Sequence, residues 1–299
     1  MPAISVMMPV FNAGAFLEPA LASLRAQTFG DWELTAIDDG SRDHSPEVLR
    51  KFAKIDERVC PIFQKENRGI PATRNHALDH MRGEFFAFLN HDDIAMPERF
   101  ARQLSFLHAN PEIDFVGCAI DNVDERGACI NSIPMPVNEL EIRWMALFDC
   151  PVRQSVLMSR AEMFQALRYD ESIASNSDYD LISRAVRSFR ATNLPETLGQ
   201  YRKHPNNTSR VRRDPFVDNG AAIARRAIAY ELPDFAITLE EIADIRAALL
   251  NYKKKDAELS VRRMNRAIEI YLDLLEAFRE KYHEHPQLAQ WRGELTPPE

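Results

Sequence analysis

Apolar residues run almost without interruption from Ile4 to Phe11 (ISVMMPVF), the pattern of a strand covered on both faces. Asn12 to Gly14 breaks the run, after which Phe16, Leu17, Ala20, Leu21 and Leu24 recur at helical spacing. Trp32 to Ile37 reads as a second strand and stops abruptly at Asp38-Asp39-Gly40-Ser41. Ser45-Pro46-Glu47 predicts a helix opened by a capping serine, with proline at the first helical position. A short strand at Val59 to Phe63, a polar loop and a helix from Pro71 to Met81 follow. Phe85 to Leu89 (FFAFL) is the most hydrophobic strand and runs into Asn90-His91-Asp92-Asp93. Pro97 starts a helix with Phe100, Leu104 and Leu107 on one face, and Asp114 to Ala119 returns to strand.

This alternation predicts an α/β fold with a mostly parallel, Rossmann-like sheet flanked by helices. Right-handed crossovers put the carboxyl end of every such strand on one edge, where ligands of these sheets bind. Both acidic pairs fall at that edge. The middle third is less regular: a hairpin turning at Glu125-Arg126-Gly127, a helix from Glu139 to Phe148, a strand from Gln154 to Met158 and a helix from Asp178 to Phe189. Beyond Pro215 the pattern turns helical, over Val217 to Tyr230, Thr238 to Leu250 and Asp256 to Tyr282. The expected organisation is an α/β part over 1–214, divided into 1–120 and 121–214, then a C-terminal helical region over 215–299. The apolar stripe of the last helix suits core, a dimer or homo-oligomer interface, or a lid over the acceptor cleft.

Composition narrows the chemistry. The 299 residues carry a formal net charge of −8, which argues against general nucleic-acid binding. No two of the 10 glycines are closer than ten positions, so neither common glycine-loop phosphate cradle is present as a motif. Four widely spaced cysteines, Cys60, Cys118, Cys129 and Cys150, suit free, mostly buried thiols in a reducing compartment. No apolar run approaches the roughly 20 residues of a membrane span. The expectation is a cytoplasmic protein, with peripheral contact at the cytoplasmic face of a membrane left open.

The acidic pairs carry the candidate chemistry. Asp38-Asp39 ahead of Gly40 suits turn formation, and equally a carboxylate that accepts hydrogen bonds from a base or ribose. Asp92 and Asp93, adjacent after a buried strand, repel one another unless a cation or hydrogen bonds compensate. Such a strand end can hold Mg²⁺ or Mn²⁺ against phosphates; helix capping is the plainer alternative. Asp178 opens an amphipathic helix, where an acid complements the helix terminus or serves as a base. The stretch from Arg202 to Arg213, which includes His204, is either a solvated loop or a clamp for a diphosphate or an anionic acceptor.

Taken in order, six segments carry a more specific signal. They are SVMMPVFNAGAFLEPALASLRAQTFGDWELTAIDDGSRD, ENRGIPATRNHAL, GEFFAFLNHDDIAMPERF, RQSVLMSRAEMFQALRYDESI, SDYDLISRAV and YRKHPNNTS. From Ile4 to about Ser209 the chain resembles the family 2 nucleotide-sugar glycosyltransferases, inverting enzymes of the GT-A fold. The resemblance implies that Pro9 and Phe11 line the base pocket, that Asp39 accepts from the base and that Asp38 supports its loop. It implies Arg74 near the donor diphosphate, Asp92 and Asp93 at the metal and ribose or sugar position of the D-x-D signature, Asp178 as general base and His204 near the diphosphate. Two departures stand out: Asn90 replaces the first acid of Asp-x-Asp-Asp, and Ser177 replaces a glutamate before the base. Asn90 is expected to weaken metal binding or to shift it onto Asp92 and Asp93.

The implied reaction is transfer from a nucleoside-diphosphate sugar, most readily a UDP-sugar, to a glycan or lipid-linked glycan acceptor, with Mn²⁺ or Mg²⁺ as cofactor. A metal-dependent nucleotide-sugar hydrolase and a catalytically silent binding protein remain as alternatives.

Overall fold

The buried run Ile4–Val10 forms β1, fully flanked by β2 (Trp32–Asp38) on one side and β4 (Phe85–Phe88) on the other. Between β1 and β2 lies α1 (Leu17–Arg25), which buries Leu17, Ala20, Leu21 and Leu24 at helical spacing. α2 (Ser45–Ile55) leads to β3 (Val59–Phe63), and α3 (Ile70–Leu78) leads to β4. The four strands pair in parallel in the order β3-β2-β1-β4. The computed structural model describes residues 1–250, 259–289 and 291.

After β4 the topology changes. β5 (Ile94–Ala95) and α4 (Arg99–Ala109) precede the long β6 (Phe115–Val123) and its hairpin partner β7 (Cys129–Ile133). Then come α5 (Glu139–Met145), β8 (Met158–Arg160), α6 (Ala161–Ala166), α7 (Ser177–Ala185) and β9 (Ala191–Arg202). The sheet continues β4-β8-β6-β9-β5. β6 and β9 run parallel, whereas β8 is antiparallel to both β4 and β6, and β5 to β9. The parallel arrangement therefore holds in the amino-terminal half, and the second half is mixed. β1, β2, β4, β6 and β9 still end on a common edge.

Helices α8 (Thr208–Val211), α9 (Arg213–Glu231), α10 (Leu239–Leu250) and α11 (Val261–Lys281) close the chain. The start of the last predicted helix, at 256–258, lies outside the described residues. Pro215, the expected boundary, stands in the first turn of α9, a position where proline fits because its missing N–H has no partner to lose. The apolar core does not break there. Phe88, Leu140, Trp144, Tyr179 and Ile182 share one buried cluster with Ile223, Ile228, Ile242, Ile270 and Phe278. Trp144 sits at its centre, with ring centroids 5.4 Å from Tyr271, 5.1 Å from Phe278 and 5.8 Å from Trp291. Each such side chain contributes about 1.5–3 kcal/mol on burial.

Three local expectations are corrected. Residues Gln154–Val156 form a turn of 3-10 helix, and the strand starts at Met158. Side chains from α4 make this possible by taking its carbonyls: Gln103 Nε2 donates to Val156 O and the buried Arg99 to Leu157 O. The helix expected from Pro97 begins at Arg99, because residues 94–95 are held extended against β9 and Arg99 N turns back to Met96 O. Ser45 does not cap its helix; its hydroxyl accepts from Ala13 N, while Asp43 accepts from Ser45 N. Of the four thiols, Cys118 and Cys150 are buried and Cys60 and Cys129 exposed.

Candidate active site

The first acidic pair closes β2. Asp39 is buried, and its two oxygens accept from Arg68 N at 2.7 Å and Gly69 N at 3.0 Å. It thus clamps the loop before α3 to the end of β2. Gly40 follows with φ +72°, and a Cβ there would stand 2.8 Å from the backbone of Glu66. Asp38 is also buried; Oδ2 accepts from Ser41 N at 3.3 Å, and Oδ1 has no hydrogen-bond partner. Burial raises the Asp38 carboxyl above its ordinary value, against hydrogen bonds from Ser41 that lower it.

The neighbouring loop after β1 is tied to this one strand end by four hydrogen bonds. Asn12 N donates to Ser41 Oγ, Ala13 N to Ser45 Oγ and Gly14 N to Asp43, while Arg42 N donates to Asn12 Oδ1. Asn12 adopts φ 47°, a region that asparagine tolerates better than most residues. Phe11, between the strand and this knot, leaves 42% of its surface exposed. Pro9 is half-buried, and its carbonyl accepts from His91 Nδ1 at 3.0 Å, which joins the ends of β1 and β4.

The second acidic pair closes β4. Asp93 is 1% exposed; Oδ1 accepts from Arg202 N and Oδ2 from Asn90 Nδ2, both at 3.0 Å. Burial and then the Asp92 charge raise its carboxyl to about 7, against hydrogen bonds from Ser155, Arg202 and Asn90. Asp92 retains 14% side-chain exposure and meets His204 Nε2 at 3.0 Å. Burial pushes the Asp92 carboxyl up, but His91 and the His204 hydrogen bond outweigh it and hold it below its ordinary value. His204 packs on Phe16 with ring centroids 4.6 Å apart, and its Nδ1 is buried without a hydrogen-bond partner. A divalent ion could take Asp92 and His204, which already present an oxygen and a nitrogen to one another. No group of three or more candidate ligands occurs among the described residues, so phosphate oxygens and water would complete its shell.

A further cluster surrounds the start of α7. Arg74, on α3 and buried, donates to Ser177 Oγ at 3.2 Å and stacks over Tyr169 at 5.2 Å. Ser177 is thus a hydrogen-bonding partner of Arg74. Asp178, half-buried, accepts from Tyr179 N at 2.9 Å. Its charge reaches Tyr169 and Cys150, whose hydroxyl and thiol are raised by burial first and by Asp178 after it.

The sequence does not signal Ser155 as a contributor, nor the specific contacts of Arg202, which it offers only within a solvated loop or an anion clamp. Ser155 accepts from Asn90 N and hydrogen-bonds Asp93. Arg202 supplies its amide to Asp93, while its guanidinium binds the carbonyls of Asp92, Asp124 and Glu125. No sequence spacing signals these contacts, since every pair of partners lies more than 60 positions apart. Asn90 has a specific use: its amide donates to a carboxylate that another acid at this position would repel.

The model of the family described as Glycosyl transferase family 2 matches residues 5–161, just over half of the chain. The chain belongs to glycosyl transferase family 2. A protein of Haemophilus influenzae named only as a glycosyltransferase is 26% identical over 82% of this chain and 79% of its own length. The Bacillus subtilis glycosyltransferase EpsE is 28% identical over 85% of this chain and 94% of its own. Residues 1–349 of S. aureus TarS, solved with UDP-GlcNAc, give a TM-score of 0.65 at 17% identity, covering 93% of this chain and 82% of that one. A Pyrobaculum calidifontis mannosyltransferase solved with GDP-Man and Mn²⁺ gives 0.61 at 16% identity, covering 97% and 81%. At such identities the likeness concerns the GT-A-like fold. The family 2 match contains both acidic pairs; Asp178 and His204 lie beyond its end.

Proposed function

We propose that this family 2 member transfers a sugar from a nucleoside-diphosphate sugar, with a UDP-sugar the leading donor, to an acceptor hydroxyl with inversion. The observation that carries the reading is the Asp92–His204 pair at the strand-end edge of a family 2 fold, beside the Asp39 loop. The solved neighbours that hold UDP-GlcNAc, or GDP-Man with Mn²⁺, support it by analogy of fold.

Phe11, exposed at the end of β1, offers its ring to the base, and Pro9 lines the same strand end. Asp39 holds the loop that would frame the base and can accept from it through a remaining lone pair. Asp38 supports that loop. Arg74 lies toward the donor from α3. Asp92, with His204, is the fitting place for Mn²⁺ or Mg²⁺; Asp93, with both oxygens engaged, shapes the site from inside. A divalent ion bound there would neutralise charge developing on the diphosphate leaving group. Asp178 takes the proton of the acceptor hydroxyl as that oxygen attacks the anomeric carbon from the face opposite the diphosphate.

The acceptor is proposed to be a glycan or lipid-linked glycan, in polysaccharide biosynthesis on the cytoplasmic side. Four unpaired cysteines and the acidic net charge agree with that setting. No helix among the described residues is long and apolar enough to cross a membrane. The catalytic assignment has a direct test in Asp178→Asn. The variant should bind UDP and Mn²⁺ as the parent does in calorimetry, and lose transfer by about 10²–10⁴-fold. Undiminished turnover would remove Asp178 from the role, and release of free sugar at the same rate without acceptor would make the chain a hydrolase.

A further inference from the structure

A second polar cavity lies away from the Asp92–His204 pair, beyond the middle of α7. Its volume is about 300 Å³, and Arg168, Arg184, Arg187 and Arg226 line it together with Asp170 and Asp180. That size is at the lower end of small-molecule sites. Four guanidiniums thus face two carboxylates.

The carboxylates do not account for all four. Asp180 is 3% exposed and binds two of them, Oδ2 accepting from Arg184 Nε at 2.9 Å and Oδ1 from Arg226 at 2.7 Å. Its single charge is therefore already shared. Asp170 turns one oxygen to Ser172 N and Oγ. Arg168 is anchored to Asn75 O and to Asp79, outside the cavity. Among the described residues Arg187 has no carboxylate in hydrogen-bond reach; Nε donates to Ser183 O, and the guanidinium lies 4.2 Å over the ring of Tyr230. Burial, followed by the charges of Arg184 and Arg226, depresses its pKa below the ordinary value, against Tyr230 and Asp180. The half-buried Arg187 thus lines the cavity beside Arg168, Arg184 and Arg226.

We propose that this cavity is an anion site that takes a phosphate group, bound by Arg187 and completed by Arg184 and Arg226. With Arg168 paired to Asp79, three guanidiniums face two carboxylates; a phosphate group supplies the missing negative charge, and guanidinium forks match its oxygens. Asp178 and Arg184 belong to one helix six residues apart, a rise of about 9 Å. The phosphate can therefore be free in solution or be carried on a sugar that extends toward α7, and the chemistry recognised is the same.

Calorimetry on the full chain at constant ionic strength, with inorganic phosphate and separately with glucose 6-phosphate, tests the assignment. Saturable binding is expected in the parent. Arg187→Gln, which keeps a polar amide and removes the charge, should weaken it about tenfold or more. Arg187→Lys should fall between the two, and Arg102→Ala, on the distant α4, should leave it unchanged. Tighter binding of the sugar phosphate assigns the site to a phosphorylated glycan; equal or weaker binding assigns it to free phosphate. Absence of saturable binding, or an Arg187→Gln isotherm identical to the parent's, overturns the proposal.

Discussion

Two aspartate pairs close the two parallel strands that flank β1, yet the fold compensates them differently. At the end of β2 the scaffold acid is Asp39, neutralised by two backbone amides of the following loop. At the end of β4 it is Asp93, held by the Asn90 side chain and by an amide from β9, far along the chain. The partner acids differ more. Asp38 has one oxygen without a partner and a raised carboxyl, whereas Asp92 faces an imidazole and is held ionised. In each pair, both oxygens of one carboxylate are therefore engaged by the scaffold, while the other carboxylate is held by fewer such contacts. In the second pair that other carboxylate meets an imidazole nitrogen, that of His204.

That division sets an order of expected effects. Asp92→Asn should have the largest: transfer falls by about 10²–10³-fold, the range for loss of one preorganised electrostatic group, with little change in the denaturation midpoint. An equally active Asp92→Asn enzyme would break the division at β4. Asp39→Ala and Asp93→Ala should fall on stability, each costing about 1–3 kcal/mol for orphaned donors, measured by urea unfolding. If either proved as stable as the parent but inactive, scaffold and chemistry would have to be exchanged in that pair. Gly40→Ala should cost about 1–3 kcal/mol, since its backbone is left-handed and its Cβ would press on Glu66; no comparable glycine follows Asp93.

The smallest effect concerns pH. The folded Asp38 carboxyl lies above its ordinary value of 3.8, so the folded state holds its proton more tightly than the unfolded one. Its contribution to stability is complete below that ordinary value and is lost as pH rises through the folded value. Urea stability measured across this interval should decline less in Asp38→Asn than in the parent. Identical slopes would mean that Asp38 titrates freely.

The parts of this arrangement legible in the sequence are those written in local pattern. The runs Ile4–Val10, Trp32–Asp38 and Phe85–Phe88 could be read because strands buried on both faces need continuous apolar residues. Each acidic pair was visible because it interrupts such a run. Long-range pairing was not: β5 and β8 have two and three residues, too short to show alternation. Gln154–Val156 looked like strand because its residues are buried, but buried side chains of α4 meet its carbonyls instead of a neighbouring strand. In the site, Asn90 could be noticed only as a departure from a family signature. Its use follows from a contact with Asp93 that depends on β9 lying alongside.

The aromatic cluster around Trp144 gives the molecule a built-in optical report. The chain has three tryptophans: Trp32 belongs to the amino-terminal sheet, while Trp144 and Trp291 sit together against α11. Trp144 also donates to Tyr271 Oη at 3.2 Å. Emission from a Trp32→Phe protein would thus follow the seating of the carboxyl-terminal helices alone, and emission from a Trp144→Phe/Trp291→Phe protein would follow the amino-terminal sheet.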